Sequence, residues 1–167
     1  KDIDLSMEHL EKGIACYDPH RQRPGRFRFG SDPGVACYIT SAMTLWMLGF
    51  PDKAIGRAID MVDLTNRQGH PFSRAYALFH TGLLHLWTRQ AEAADGYAHR
   101  LTDLADEFDF PVWKAVGTCL HGSALVAMGR EQEGLQQIEW GMQVYQGLNT
   151  PPIFWSLLIY NQVLAYL

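Results

Sequence analysis

Residues 49–72 read GFPDKAIGRAIDMVDLTNRQGHPF, and strings of the same kind return as RQAEAADGYAHRLTDLADEFDFPV (89–112) and GREQEGLQQIEWGMQVYQGLNTPP (129–152). In this register Ala54 lies over Ala94, Ala58 over Ala98, and Leu64 over Leu104 and Val144. Pro71, Pro111 and Pro151 align, as do Ala42, Gly82 and Gly122. Three aligned copies give an internal repeat with a period of 40 residues, the pattern of a stacked array of supersecondary units.

Each copy reads as two helices. Pro33, Pro51, Pro71, Pro111 and Pro151 stand where a first helical turn would begin, a position whose N–H has no partner inside the helix and so loses nothing to proline. Asp32 and Thr150 precede two of these prolines as expected N-caps. The spacing predicts first helices over 33–48, 72–88, 112–128 and 152–167, and second helices over 51–68, 91–108 and 131–147. No segment alternates polar and apolar residues for long enough to predict a sheet.

Outward from the repeat, LEKGIACY (10–17) matches IEWGMQVY (138–145) with Gly13 over Gly141. Residues 4–17 therefore read as a remnant second helix whose partner is missing. Full repeats follow at 32–70, 71–110 and 111–150, and an unpaired helix at 151–167. A unit of this kind cannot bury its apolar face alone. With Lys1 in place of Met, the expectation is a piece of a longer protein whose uncapped ends self-associate. Between the first helix and the first full repeat lies 18–31, which contains RQRPGRFRFG (21–30) and reads as a long loop through Pro19, Pro24, Gly25 and Gly30.

The 167 residues are 47 % hydrophobic and 19 % charged, a composition for one folded domain. A net charge of −4 argues against a general nucleic-acid or anionic-membrane binder. No apolar run approaches a membrane span. Cys16, Cys37 and Cys119 form no CxxC and lie in apolar helical contexts, so they read as small buried hydrophobes of a reducing compartment, with a cytoplasmic location expected.

The residues carry a family resemblance. Tetratricopeptide repeats place a small residue in the first helix, Gly at the inter-helix turn and Ala five residues further on. Here Gly82, Gly122 and Ala42 stand at the small position, Gly49 and Gly129 at the turn, and Ala54 and Ala94 at the alanine. The period departs from the family's usual 34 residues, Arg89 replaces a turn Gly, Gly134 replaces the alanine, and the family's terminal Pro is shifted to the start of the next pair. More narrowly, DPGVACYITSAMTLWMLGFPDKA (32–54) followed by GHPFSRAYAL (69–78) resembles the C-terminal repeats of bacterial signalling ATPases linked to adenylate/guanylate cyclase or transcriptional-regulator domains. The resemblance implies an all-α fold, a right-handed α-solenoid of antiparallel helix pairs. It also implies a non-catalytic protein–protein interaction or regulatory scaffold.

In such arrays the first helices line a concave face. That carries Ile39, Met43, Trp46, Met47, Phe79, Leu83, Trp87 and Ser123 into a candidate groove for a protein or peptide partner, or for another domain of the parent chain. The competing class is a small-molecule sensor holding its effector on the same apolar, aromatic face. The bland alternative has these side chains filling the core between pairs. Arg21, Arg23, Arg26 and Arg28 are candidates for an anionic contact, phosphate or acidic partner, the alternative being that they pair with the protein's own carboxylates.

No cofactor, catalytic group or metal ligand set is expected. His80 and His85 are five apart and so do not stack on one helix face, and Cys119 and His121 point differently. His99 lies on a polar second-helix face. Neither HExxH nor a nucleotide-binding glycine motif occurs, and Ser41, Ser73, Ser123 and Ser156 have no GxSxG around them. The acids Asp60, Asp63, Asp103, Asp106, Glu107 and Asp109 read as a solvated outer face.

Overall fold

A computed structural model describes residues 2–18 and 32–166. Among them lie eight helices and no strand: α1 (Asp2–Cys16), α2 (Pro33–Met47), α3 (Pro51–Gln68), α4 (Pro71–Trp87), α5 (Ala91–Glu107), α6 (Pro111–Ala127), α7 (Glu131–Gly147) and α8 (Trp155–Ala165).

Local chemistry sets both ends of these helices. Pro33, Pro51 and Pro111 occupy the first turns of α2, α3 and α6. Asp32 caps α2, its Oδ1 accepting from the backbone N–H groups of Gly34 (2.7 Å) and Val35 (3.4 Å). At α4 the imidazole of His70 has that role, with Nδ1 accepting from the backbone N–H of Ser73 at 3.2 Å. Left-handed residues follow the helices at 49, 89 and 129, and at 69, 109 and 149. Beyond α2, α4, α5 and α6 the next N–H reaches back to close the end: Phe50 to Leu45, Gln90 to His85, Phe110 to Ala105 and Arg130 to Leu125, at 2.8–2.9 Å. These bonds satisfy carbonyls that the helix would otherwise leave open.

The last helix departs from expectation. It begins at Trp155, three residues later than the predicted 152, and Thr150 does not cap it. Two consecutive prolines, Pro151 and Pro152, hold a turn in which Ile153 N–H donates to Pro151 O at 2.8 Å. The Tyr145 hydroxyl fixes that turn, donating to Pro151 O (2.9 Å) and accepting from Phe154 N–H (3.3 Å).

The chain divides into two compact units, residues 1–84 and 85–167. In the first, α1 packs on α2 and α2 on α3. Val35, Ile39, Ala42, Ala54, Ala58 and Met61 are buried there. Arg57 on α3 links all three helices, reaching Glu11 Oε1 at 2.8 Å and Ser41 Oγ at 3.2 Å. The residues flanking the arginine-rich segment are themselves joined: the Tyr17 hydroxyl donates to Asp32 Oδ2 at 2.7 Å and accepts from Gln68 Nε2. Burial first, and Asp32 second, push the Tyr17 hydroxyl well above its ordinary pKa.

In the second unit α6 is central, with α5, α7 and α8 packed against it. Its sequence reflects that position, since residues 115–120 and 122–125 are all buried. On α5 and α7 the buried positions fall on one stripe: Ala91, Ala94, Ala98, Leu101 and Ala105, then Gly134, Ile138, Gly141, Met142 and Tyr145. Side chains such as Leu101, Leu120 and Ile138 are fully buried, each contributing roughly 1.5–3 kcal/mol by leaving water. Helices α6 and α7 meet through glycines. A β-carbon on Gly122 would lie 2.5 Å from the Gly134 carbonyl oxygen, and one on Gly134 equally close to that of Gly122. Gly134, which breaks the alanine pattern of Ala54 and Ala94, thus allows this close approach.

Candidate functional site

On the second unit, Lys114 and His121 of α6 are only partly covered by the packing, with the buried Thr118 between them. Lys114, Thr118 and His121 recur at helical spacing along α6 and form the floor of an open cleft of about 510 Å³. His99 and Thr102 of α5 line one side, and Gln136, Gln137 and Trp140 of α7 the other. Both helices turn a polar stripe toward the cleft because their apolar stripes are spent on α6.

At one end of the cleft three titratable side chains converge. Asp95 and His99 stand four residues apart on α5, and His121 comes from α6. Asp95 Oδ1 is 2.5 Å from His121 Nδ1 and 3.6 Å from His99 Nδ1. The rings of His99 and His121 meet edge to face, with centroids 4.7 Å apart. His99 Nδ1 also lies 3.0 Å from the Asp95 backbone oxygen. Since carbonyl and carboxylate oxygens only accept, both Nδ1 atoms carry the proton when the rings are neutral, and the lone pairs sit on Nε2. The neighbouring cations are engaged. Lys114 pairs with Asp106, and Arg130 forks onto Glu133 at 2.6 and 3.2 Å. Hydrogen bonding to Arg130 holds the Glu133 carboxyl below its usual range.

The residues singled out from sequence are distributed differently. Ile39, Phe79, Leu83 and Ser123 lie inside the helix packing. Met43, Trp46 and Trp87 are half-buried, and Met47 is exposed. They do not line the cleft just described. The anionic-contact candidates Arg21, Arg23, Arg26 and Arg28 lie outside the described residues. The expectation that all three cysteines are buried is corrected: Cys119 is buried, Cys37 half-buried and Cys16 exposed. Cys16 is on the last turn of α1, and its neighbours in sequence do not reveal which side of that turn faces water. The six acids of the expected outer face are all exposed.

The Asp95–His99–His121 cluster is not legible from histidine spacing, which leaves out the carboxylate. The available signal was Asp95 and His99 at i, i+4 on a polar helix face. What joins them to His121 is the packing of α5 on α6.

Two histidines outside the cluster, His80 and His85, are buried. Burial lowers the His80 pKa to about 4, and its Nδ1 donates to Tyr76 O at 2.8 Å. Burial also lowers that of His85, whose Nδ1 bonds Gln90 Oε1 at 3.0 Å while its ring stacks on Tyr97. The Cys119 thiol is pushed up to about 12 by burial and donates to Ile138 O at 3.5 Å.

No protein-family model, no curated protein and no solved structure matches this chain. Among the described residues, no helix is long and apolar enough to cross a membrane.

Proposed function

We propose that this chain is a non-catalytic interaction domain: a tetratricopeptide-like, right-handed α-solenoid of 40-residue units in a larger bacterial signalling or regulatory protein. Left-handed helix ends at 49, 89 and 129 and again at 69, 109 and 149 support that period. The observation that carries the interaction role is the outer face of α8. Ile159, Tyr160, Val163 and Leu164 present a helical stripe, each residue 41–52 % exposed. Contiguous exposed apolar surface of this kind marks a site of association, and an amphipathic helix is the occupant that such a stripe accepts.

Self-association provides the direct test, because a second copy offers the same stripe. Light scattering across a concentration series should show mass rising with concentration, and Leu164→Glu should abolish the rise. A native chain that stays monomeric throughout and does not enhance the fluorescence of a hydrophobic dye would sink this reading. The second reading, a small-molecule effector domain, is favoured by the 510 Å³ cleft on α5–α7. That cleft mixes polar side chains with Trp140 and is not the apolar, aromatic face on which the sequence placed the effector. Its mark is a ligand-induced rise in Tm with no change in mass.

A further inference from the structure

We propose that Asp95, His99 and His121 form a binding site for a first-row divalent transition metal, with Zn²⁺ the ion that the donor set suits best. The site is independent of the α8 surface, and neither assignment requires the other.

One donor atom from each of the three residues lies within 4.8 Å of the other two. Around a tetrahedral ion with bonds of about 2.0–2.1 Å, ligand atoms sit roughly 3.3 Å apart. Closing that gap requires side-chain rotation only. The side chains of Asp95, His99 and His121 are 24 %, 58 % and 25 % exposed, so they can turn without disturbing the core. The helices already hold the frame. An i, i+4 pair places two ligands on one face of α5, the spacing that helical metal sites use, and α6 brings the third across.

His99 Nδ1 donates to the Asp95 carbonyl and His121 Nδ1 to the Asp95 carboxylate, at 3.0 and 2.5 Å. For a neutral ring these bonds leave the lone pair on Nε2, so His99 can ligate through Nε2 with its Nδ1 held by the Asp95 carbonyl. Asp95, in contrast, joins the ion as a ligand by turning its carboxylate away from His121 Nδ1. Two imidazoles and one carboxylate select borderline ions over Mg²⁺ and Ca²⁺, which take oxygen ligands. Charge does not oppose the ion strongly. Arg130 is near enough to act on Asp95, but its guanidinium is chelated by Glu133, and Lys114 is held by Asp106. Three protein ligands leave one coordination position open toward the cleft that Gln137 and Trp140 line. A polar ligand entering the cleft could complete the coordination there.

Calorimetric titration of the native chain with ZnCl₂ is expected to show one ion per chain, accompanied by a rise in Tm. His99→Ala and His121→Ala should each weaken binding at least tenfold. Cys16→Ser, which removes the exposed thiol, should leave it unchanged. Co²⁺ should give the visible bands of a four-coordinate nitrogen/oxygen site with no thiolate charge-transfer band. His99 is exposed enough that its alanine variant should keep the native far-UV circular dichroism and metal-free Tm, which separates loss of a ligand from loss of fold. No heat or Tm response from the native chain would overturn the proposal. So would binding that survives both histidine substitutions, or that disappears with Cys16→Ser.

Discussion

Lowering the pH from 7 to 4 should destabilise the first unit through a single buried imidazole. His80 is 9 % exposed, packed by Tyr76 and Phe79 with ring centroids at 4.1 and 5.1 Å. Burial lowers its pKa from 6.5 to about 4. In the unfolded chain the ring takes up a proton as pH falls through 6.5, whereas in the folded chain it resists until about 4. The unfolded state therefore binds more protons in that window, and stability falls as pH drops, levelling off below the folded value. At 1.36 kcal/mol per unit, the full loss is about 3 kcal/mol, a large share of a domain's usual 5–15 kcal/mol. Urea unfolding at pH 7, 6, 5 and 4 measures it, and His80→Phe isolates it from the carboxylates. The variant loses a hydrogen bond and starts less stable, so slopes against pH are compared rather than absolute values. Equal slopes for His80→Phe and the native chain would refute the reasoning. His85, also lowered by burial, should add slope of the same sign that His80→Phe leaves behind.

Gly122→Ala should destabilise the second unit by roughly 1–3 kcal/mol, since the new methyl meets the Gly134 carbonyl and Ile138 backbone nitrogen of α7, neither of which can rotate away. Chemical denaturation measures this, and a neutral effect would mean that the two helices can slide apart freely. Native protein at pH 8 should show fast thiol titration at Cys16 and none at Cys119, whose pKa of about 12 and complete burial leave no accessible thiolate. Adding denaturant should release the Cys119 reaction, and a native-state reaction at Cys119 would show that α6 and α7 open.

Most helix boundaries were legible in the sequence because their causes are local. Proline at a first turn, an aspartate before it and a residue able to take a left-handed conformation after the last turn act within a few residues of chain. Pro33–Met47 and Pro51–Gln68 lie within a residue of the expected 33–48 and 51–68 for that reason. Arg89, Asp109 and Asn149 take positive φ without being glycine, so the turn is fixed by its place in the array as well as by residue type. The late start of α8 was local too, but it depended on the Tyr145 hydroxyl reaching Pro151.

The sequence by itself determined the helices and the positions of their turns, because the causes of both are local. Only the tertiary structure decided which faces remained open. Phe79 and Leu83 share a helix with Trp87, yet packing buries the first two and leaves the third partly in water. His121 became a neighbour of Asp95 and His99 because α6 lies against α5 with Lys114 and His121 left partly in water. Periodicity says which residues of one helix face together. The meeting of faces from different helices depends on how closely and at what rotation the helices pack, and here small residues such as Gly122 and Gly134 set that approach.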